Sequence, residues 1–406
     1  MKRAIVLSGG GGKGAYQIGF WKAIRELDIS YDIVTGTSIG ALNGAFMVQG
    51  NYRDAFKLWY YMDYNQVFDG GIDGSYYTSK GKRKVILKYA KGAAKGGLSV
   101  PGLENIIKEN LRPDLFYSSN VDYGLVTVKF PSFKPVMLTK DKIKEELLPD
   151  YLLASASCFP AFKMKEINKE SYIDGGYYDN MPVDLAIKMR ASEIIGVDLR
   201  APGKRRKIKN QDIPVTVISP KNNIGNFLVL EKSQTRRAIK LGYNDTMKAF
   251  GRFEGECFTF KKGSLNRNFR RIKDYFYGVL NAYVDPKVSK GKYKKIYDND
   301  KESYFNNVLE NLMKAFELED ITVYRASYVN SLLKRKLKKE KSSTYSILKK
   351  TIKNGKLSKA FINKEMICYI YDELNKSNHL NKKISNLLTL FPDSFLCAVY
   401  LKAIMR

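Results

Sequence analysis

The sequence has only one histidine, His379, in 406 residues. Histidine is the usual general base for a serine or cysteine nucleophile, so this scarcity limits the mechanisms open to an enzyme. His379 lies in the polar stretch DELNKSNHLNKKI, with no predicted strand end nearby, and we expect a surface residue there. If the chain carries a nucleophile, a carboxylate must therefore act as its base.

Cysteine is scarce as well. The four cysteines lie far apart and form no Cys-x-x-Cys pair, and they are Cys158, Cys257, Cys368 and Cys397. This pattern argues against a disulfide framework and a thiolate zinc site, and it predicts reduced thiols in a cytoplasmic protein. We expect no metal site.

Long apolar runs are missing too. No segment approaches the roughly 18 consecutive apolar residues of a membrane span, and the N-terminus has only Ala4 to Leu7 before polar residues and glycines. The sequence therefore predicts neither a transmembrane helix nor a signal peptide. With 44% apolar and 13% aromatic residues, a globular protein with a sizeable core is expected.

Acidic residues are outnumbered, and the formal net charge is +29. Residues 251–406 contain 32 Lys and Arg against 16 Asp and Glu, so the C-terminal part is the more densely charged. Such a field favours anionic partners, either phospholipid headgroups or nucleic acid. A solvated surface from a lysine-rich proteome explains the composition equally well.

Up to about residue 220, short β-branched runs alternate with helical periods. Between the first two runs, Ile18, Trp21, Ile24 and Leu27 recur at helical spacing, which completes a βαβ unit. The predicted fold class is α/β, with three layers and a mostly parallel central sheet between helices. The strand candidates are 4–7, 32–35, 121–130, 193–199 and 213–219.

A basic loop at 200–212 precedes the last of these strands, and residues 234–250 form the predicted closing helix of the domain. After about residue 255 the alternation stops, and helical periods at 304–318 and 343–353 are separated by polar stretches. We predict two domains: residues 1–255, and a basic, mainly helical region over 256–406.

The first predicted strand leads into a glycine-rich loop, LSGGGGKGAYQIG. Its backbone N–H groups, beside a helix N-terminus, form an anion site, and the loop residues are Gly9, Gly10, Gly11, Gly12, Lys13 and Gly14. A dinucleotide site would need an acidic residue near the end of the next strand, where this chain has Gly36-Thr37-Ser38. A phosphate-binding P-loop fails on its spacing, because Leu7 and Gly14 occupy positions that require Gly and Ser or Thr.

The second predicted strand is followed directly by Gly36-Thr37-Ser38-Ile39-Gly40, a G-x-S-x-G motif. Between a strand and a helix this motif describes a nucleophile elbow, where Gly36 and Gly40 relieve a turn too tight for side chains. Ser38 would project from the turn as the nucleophile. An ordinary N-cap serine is the alternative.

The carboxylate that Ser38 requires is found in SYIDGGYYDNMPVDLAI. A short apolar segment runs into Asp174, which is followed by the turn Gly175-Gly176. Aspartate, with an ordinary pKa of about 3.9, is a weak base unless a partly desolvated cleft raises its pKa. Taken alone, an Asx-turn would explain this segment.

Together, GGGGKG, GTSIG and DGG, in this order, resemble the patatin-like phospholipase family over roughly residues 3 to 250. The resemblance implies a Ser-Asp dyad without histidine, with Ser38 as nucleophile and Asp174 as base. It also implies that the N–H groups of Gly10, Gly11 and Gly12 bind the oxyanion, and that Lys13 is the basic residue of that loop. Asn180 and Pro182 match a short motif of the family, and we interpret them as building a turn.

The family's activity would be hydrolysis of carboxylic esters of phospholipids or other acyl lipids through an acyl-serine intermediate, without a cofactor. Cys158 stands where the family usually has proline. An anionic membrane surface is the expected partner and nucleic acid is not, so the location would be cytoplasmic, peripheral at the inner membrane. Alternatively, the basic C-terminal region makes the chain a binding or regulatory protein with the first domain as a scaffold. Oligomeric state stays open.

Overall fold

The computed structural model describes residues 2–62, 67, 79–208, 212–285, 292–297, 301–339, 362–377 and 379–406. The chain divides into two compact units, Met1–Ala249 and Phe250–Arg406. This division falls slightly before the predicted boundary after residue 255.

An eight-stranded sheet forms the centre of the first unit. Its strands are β1 (Arg3–Leu7), β2 (Ile33–Thr37), β3 (Asp122–Phe130), β4 (Lys134–Thr139), β5 (Lys165–Ile167), β6 (Glu170–Asp174), β7 (Glu193–Val197) and β8 (Val215–Ile218). The order across the sheet is β5-β6-β3-β2-β1-β7-β8, with β4 paired to β3. Strands β3, β2, β1, β7 and β8 run parallel, whereas β4, β5 and β6 form the antiparallel side.

The helices of the first unit cover both faces of this sheet. They are α1 (Ala15–Glu26), α2 (Ile39–Val48), α3 (Tyr52–Tyr61), α4 (Ser79–Ala93), α5 (Pro101–Asn110), α6 (Pro113–Ser118), α7 (Leu148–Ala156), α8 (Val183–Lys188) and α9 (Lys232–Ala249). On one face Ala4 and Val6 of β1 pack with Val183 of α8. On the other face Leu7 and Val34 lie against α2. Side chains alternate between the faces of a strand, so both sides are buried and the predicted three-layer α/β fold is confirmed.

The sheet register brings three loops together at one edge. Leu7 of β1 pairs with Gly36 of β2, so the segments that follow these parallel strands lie side by side. Thr37 pairs with Val126 of β3, and the next residue of β3, Thr127, pairs with Asp174. The antiparallel strand β6 therefore delivers Asp174 to the carboxyl end of β2, in agreement with the rule that open α/β sheets carry their sites at this edge.

Most of the predicted strands match β1, β2, β3, β7 and β8 to within two residues at either end. The predicted closing helix at 234–250 corresponds to α9. The strand candidates did not include β4, β5 or β6, and β6 was expected only as a short apolar segment running into Asp174. Short strands on the antiparallel side carry little hydrophobic patterning of their own. The helical period predicted at 343–353 lies outside the described residues.

The second unit is mainly helical, with a small three-stranded sheet. Its helices are α10 (Ser264–Asn281), α11 (Lys292–Tyr297), α12 (Lys301–Ala315), α13 (Ala326–Lys339), α14 (Lys364–Lys376), α15 (Lys382–Leu390) and α16 (Pro392–Ile404), and its strands are β9 (Phe253–Glu254), β10 (Thr259–Lys261) and β11 (Val323–Tyr324). The core contains a closed ring of buried hydrogen bonds. In it Asn268 donates to the hydroxyl of Tyr400 at 2.8 Å, Tyr400 donates to Asn330 at 3.0 Å, and Asn330 donates back to Asn268 at 2.7 Å.

Within the described ranges, no single helix is long and apolar enough to cross a membrane. Helices α15 and α16 reach the required length and composition only as a pair, and the bend between them is 116°.

Candidate active site

Ser38 occupies the sharp turn between β2 and α2. Its backbone angles, φ 57° and ψ −128°, lie in a region that non-glycine residues rarely adopt. A Cβ atom added at Gly36 would lie 2.3 Å from the carbonyl oxygen of Gly40, so the turn closes only because both flanking residues lack side chains. The N–H of Ser38 donates to Oγ of Ser155 at 2.8 Å, and that hydroxyl donates to the carbonyl of Val126 at 2.7 Å. The strained turn is thereby fixed to α7 and β3.

Asp174, the last residue of β6, faces Ser38. Its N–H donates to the carbonyl of Ser157 at 2.8 Å, and its Oδ1 accepts the N–H of Gly176 at 2.7 Å. Ser38 lies near enough to this carboxylate to lower its pKa, and both residues line the same cavity. The structure thus brings the predicted nucleophile and base to one site.

Burial raises the pKa of Asp174 to about 6, because the ionised carboxylate loses its hydration. The Ser38 side chain and the hydrogen bond from the N–H of Gly176 favour the ionised form, and they lower the pKa against part of this rise. A carboxylate with this pKa is mostly ionised at neutral pH and is a better proton acceptor than an exposed aspartate. The cleft therefore provides the desolvation that an aspartate needs in order to act as a base near neutral pH.

The glycine-rich loop after β1 runs beside Ser38. Gly9 donates its N–H to the carbonyl of Asn180 at 3.0 Å, and Gly12 donates to the carbonyl of Phe227 at 2.8 Å. Among the described residues, no acceptor receives the N–H of Gly10 or Gly11, and both residues line the cavity that contains Ser38. Two donors are therefore available to an oxyanion. The N–H of Gly12, which was predicted as a third donor, is instead bonded to the carbonyl of Phe227, in a loop distant in sequence.

The other residues predicted for this loop lie away from the cavity wall. Lys13 donates its ammonium to the carbonyl of Arg200 at 3.2 Å, and partial burial lowers the pKa of Lys13 while the charge of Asp198 raises it. Gly14 directly precedes α1 and packs against Trp59. Lys13 thus connects the glycine loop to the segment after β7 instead of facing the cavity.

A cavity of about 360 Å³ opens beside the Ser38 and Asp174 pair. Its wall is mostly apolar and comes from α2, α3, α4, α5 and the 227–230 segment, with the side chains of Leu42, Trp59, Met62, Val67, Tyr89, Leu103, Phe162, Phe227, Leu228 and Leu230. Some lining residues are also exposed to solvent and mark the opening, among them Tyr177, Pro202, Gly203 and Lys204. The polar groups therefore stand at one side of an apolar chamber of the kind that holds hydrophobic ligands.

Asn180 contributes more than the predicted turn. Its carbonyl receives the N–H of Gly9, its N–H donates to the carbonyl of Lys204 at 2.7 Å, and Lys204 in turn donates its N–H to the carbonyl of Gly176 at 2.8 Å. These bonds join the glycine loop, the turn after Asp174 and the basic loop. Only the proximity of Asn180 to the Asp-Gly-Gly motif hinted at this function in the sequence.

Sequence reasoning missed two further residues near the site. Asp179 is buried, and burial raises its pKa to about 6, against the hydrogen bonds from the backbone of Met181 and Arg206. Ser155 supports the elbow from α7. Neither belongs to a recognisable local motif.

Cys158 lines the cavity. Burial is the main reason that the pKa of its thiol is raised to about 12, and the negative charge of Asp174 raises it further. A thiol with this pKa is protonated and unreactive at neutral pH. His379 lies in the second unit at an exposed bend, where its carbonyl accepts the hydroxyl of Ser377 at 3.0 Å. In the described part of the chain, no group of three or more His, Cys, Asp or Glu side chains is arranged to hold a metal ion.

Comparison with known proteins agrees with this geometry. Residues 5–187 match the model of the Patatin family, described as patatin-like phospholipase. The matched range begins in β1 and ends in α8, and it contains the glycine loop, the elbow and Asp174. Residues 5–187 of the first unit are therefore similar to a patatin-like phospholipase domain, as the sequence motifs indicated.

Relatives share this region at low identity. Patatin-like phospholipase domain-containing protein 7 of Rattus norvegicus is 28% identical over 203 residues, which cover 48% of this chain and 13% of that protein. The cUMP-AMP-activated phospholipase of Escherichia coli is 26% identical over 207 residues, or 46% of this chain and 58% of that protein. The solved structure of VipD from Legionella pneumophila aligns with 98% of this chain and 91% of its own at 14% identity, with a TM-score of 0.40.

Proposed function

We propose that this protein is a serine acyl hydrolase that cleaves carboxylic ester bonds of phospholipids or other acyl lipids. The observation that carries the proposal is the placement of the strained Ser38 and the buried Asp174 together in the wall of a mostly apolar cavity. The patatin-like phospholipase domain over residues 5–187 supports a lipid substrate. The matched part of the chain spans 13% of the rat relative and 58% of the bacterial one.

In the proposed acylation step, Oγ of Ser38 attacks the ester carbonyl carbon while Asp174 accepts the hydroxyl proton. The oxyanion receives the N–H groups of Gly10 and Gly11. When the tetrahedral intermediate collapses, the ester bond breaks and the leaving alcohol takes the proton from Asp174. Water then attacks the acyl-Ser38 ester with Asp174 again accepting a proton, which releases the fatty acid and restores the serine.

The distribution of polarity suggests how a phospholipid would lie. Its acyl chain would fill the apolar wall, and its headgroup would stay at the opening beside Lys204. No carboxylate among the described residues forms an ion pair with Lys204, so its charge is available to a phosphodiester. A Lys204→Glu variant should raise KM for a phospholipid but not for a neutral short-chain ester, whereas Lys207→Glu, exposed in the same loop, should change neither.

We also propose a cytoplasmic location with reversible binding to an anionic membrane. The net charge of +29 supports electrostatic attraction to anionic lipid. Fractionation of cells at low and high salt would test this, since a peripheral protein moves from the membrane to the soluble fraction as salt rises. A protein found in the soluble fraction at every salt concentration contradicts the proposal.

Covalent labelling by a fluorophosphonate probe, together with turnover of a short-chain ester, tests the dyad. Ser38→Ala should abolish labelling, and both Ser38→Ala and Asp174→Asn should lower turnover by about 10³-fold or more. The double variant should be no worse than either single one, because groups acting as a unit are not additive. His379→Ala should retain full activity.

Two results would contradict the proposal. Undiminished turnover by Ser38→Ala removes the hydrolase assignment. A His379→Ala protein as inactive as Ser38→Ala would replace the dyad by a triad.

A further inference from the structure

The hairpin between β3 and β4 carries an aromatic side chain at its tip. Phe133 is 55% exposed, in the short connection Pro131-Ser132-Phe133. Its φ is 54°, in the left-handed region. Glycine, asparagine and aspartate tolerate this conformation, but a bulky aromatic residue is an outlier there. Neither burial nor backbone preference explains a phenylalanine at this position.

Phe133 belongs to a row of aromatic rings that reaches the cavity. Its ring centroid is 5.7 Å from that of Phe130 and 6.3 Å from that of Tyr177. Phe130 lies 5.5 Å from Phe159, and the hydroxyl of Tyr177 donates to the carbonyl of Phe159. Tyr177 is 41% exposed and lines the cavity opening. The exposed tip and the opening therefore form one continuous surface.

Positive charge flanks this surface. Lys134 follows Phe133 and is exposed, and Lys204 lies at the opening that Tyr177 lines. Aromatic rings with lysines beside them are typical of protein surfaces that enter the boundary between lipid headgroups and acyl chains. A stable protein partner would need a much larger contact, of the order of 800 Å² on each side. The chemistry fits a lipid surface better than a protein.

We propose that Phe133 and Tyr177 dock this protein onto an anionic bilayer, with the cavity opening facing the lipid. The proposal rests on the proposed lipid hydrolase function and adds the surface through which the substrate enters. An acyl chain leaving the bilayer at Tyr177 then reaches the apolar wall without crossing water. The contact between the ring of Phe133 and lipid would explain why this bulky residue occupies a strained backbone position.

The test replaces Phe133 by asparagine, which suits the left-handed backbone. Phe133→Asn should weaken binding to phosphatidylglycerol vesicles by about tenfold or more and lower vesicle hydrolysis by a similar factor. Turnover of a soluble short-chain ester should not change, and the unfolding temperature should rise by about 2 °C or more because backbone strain is relieved. Leu115→Asn is the matched control: Leu115 is 45% exposed on α6 of the same unit, does not line the cavity, and should leave vesicle binding unaltered.

A second variant reports the contact directly. The native tryptophans, Trp21 and Trp59, are both buried, so a blue shift of Phe133→Trp emission on adding vesicles would show that position 133 enters the lipid. Equal vesicle binding by Phe133→Asn and the wild-type protein, or no shift in Phe133→Trp, overturns the docking proposal. Failure of the hydrolase assignment is seen separately, as ester turnover that survives Ser38→Ala, while vesicle flotation still reports docking.

Discussion

The proposed catalytic position of Asp174 has a cost in stability. The residue is 6% exposed, and burial raises the pKa of its carboxylate from 3.8 to about 6. The folded protein therefore binds this proton more tightly than the unfolded chain does. Burying the ionised carboxylate therefore lowers the free energy of unfolding. This loss of stability is full above about pH 6, becomes smaller as the pH falls from there towards the ordinary pKa of aspartate, and disappears below that pKa.

We expect Asp174→Asn to be more stable than the wild type at pH 7.5. Asparagine keeps an oxygen that can accept the N–H of Gly176 and removes the buried charge. A pKa shift of this size corresponds to about 3 kcal/mol, which is the upper limit of the gain. Denaturant unfolding at several pH values measures it, and the gain should disappear towards pH 4. A variant that is less stable than the wild type at pH 7.5 would contradict this assignment of the charge.

The same pKa predicts the acid limb of the activity profile. Because Asp174 must be ionised to accept the proton of Ser38, kcat/KM for a soluble ester should fall as the pH drops below about 6. Asp179 has a similarly raised pKa but does not line the cavity, so Asp179→Asn should keep the limb in place. If the limb disappears in Asp179→Asn, that carboxylate and not Asp174 controls the profile.

At the scale of elements, the glycine loop depends on contacts from a distant segment. The N–H of Gly12 is held by the carbonyl of Phe227, and Gly11 adopts a φ of 49° beside the same carbonyl. A Cβ atom at Gly11 would lie 2.2 Å from that oxygen. The loop cannot accept a side chain there without moving the N–H groups that face the cavity.

We therefore expect Gly11→Ala to lower kcat by about 10²- to 10³-fold, the usual effect of losing an oxyanion donor. Gly50→Ala is the matched control, because Gly50 also has a positive φ, of 77°, but its Cβ would meet nothing within 4 Å. Backbone strain should lower the free energy of unfolding of both variants by about 1 kcal/mol. Gly11→Ala should lose more in total, because its Cβ also clashes with the carbonyl oxygen of Phe227. Equal kcat values for the two variants would show that the loop does not position the oxyanion donors.

At the scale of the whole molecule, each unit has its own core. Every described residue that lines the cavity belongs to Met1–Ala249. The second unit, Phe250–Arg406, surrounds its own cluster of aromatic and aliphatic side chains and has an excess of basic residues. The residues of the candidate site thus lie in the first unit, and the second unit has the denser positive charge.

Deleting residues 250–406 should leave turnover of a soluble short-chain ester nearly intact, because every described residue that lines the cavity lies in the first unit. Binding to anionic vesicles should decrease more than turnover does, and it should become less sensitive to salt, because many lysines are lost. Vesicle flotation and ester kinetics on the truncated and intact proteins measure the two effects. Complete loss of turnover would mean that the first unit does not fold alone, and unchanged vesicle binding would exclude a membrane function for the second.

The sequence alone determined the parts of the fold and site that are local. Buried parallel strands are nearly continuous apolar runs, so most of the sheet could be predicted, and the tight turns at Ser38 and Asp174 need glycine neighbours that a short motif records. The single histidine pointed to a carboxylate base before any geometry was known. No comparable local pattern marks the antiparallel strands β4 and β5.

Tertiary structure alone decided the contacts between distant segments. The pairing of Thr127 with Asp174 brings Asp174 to the end of β2, next to Ser38, and the burial that raises the pKa of Asp174 comes from elements spread over the first unit. The engagement of Gly12 by Phe227 and the exposure of Phe133 beside Tyr177 likewise join residues with no shared pattern. Hydrogen bonding and desolvation depend on which atoms are neighbours in space, and a sequence motif records only neighbours along the chain.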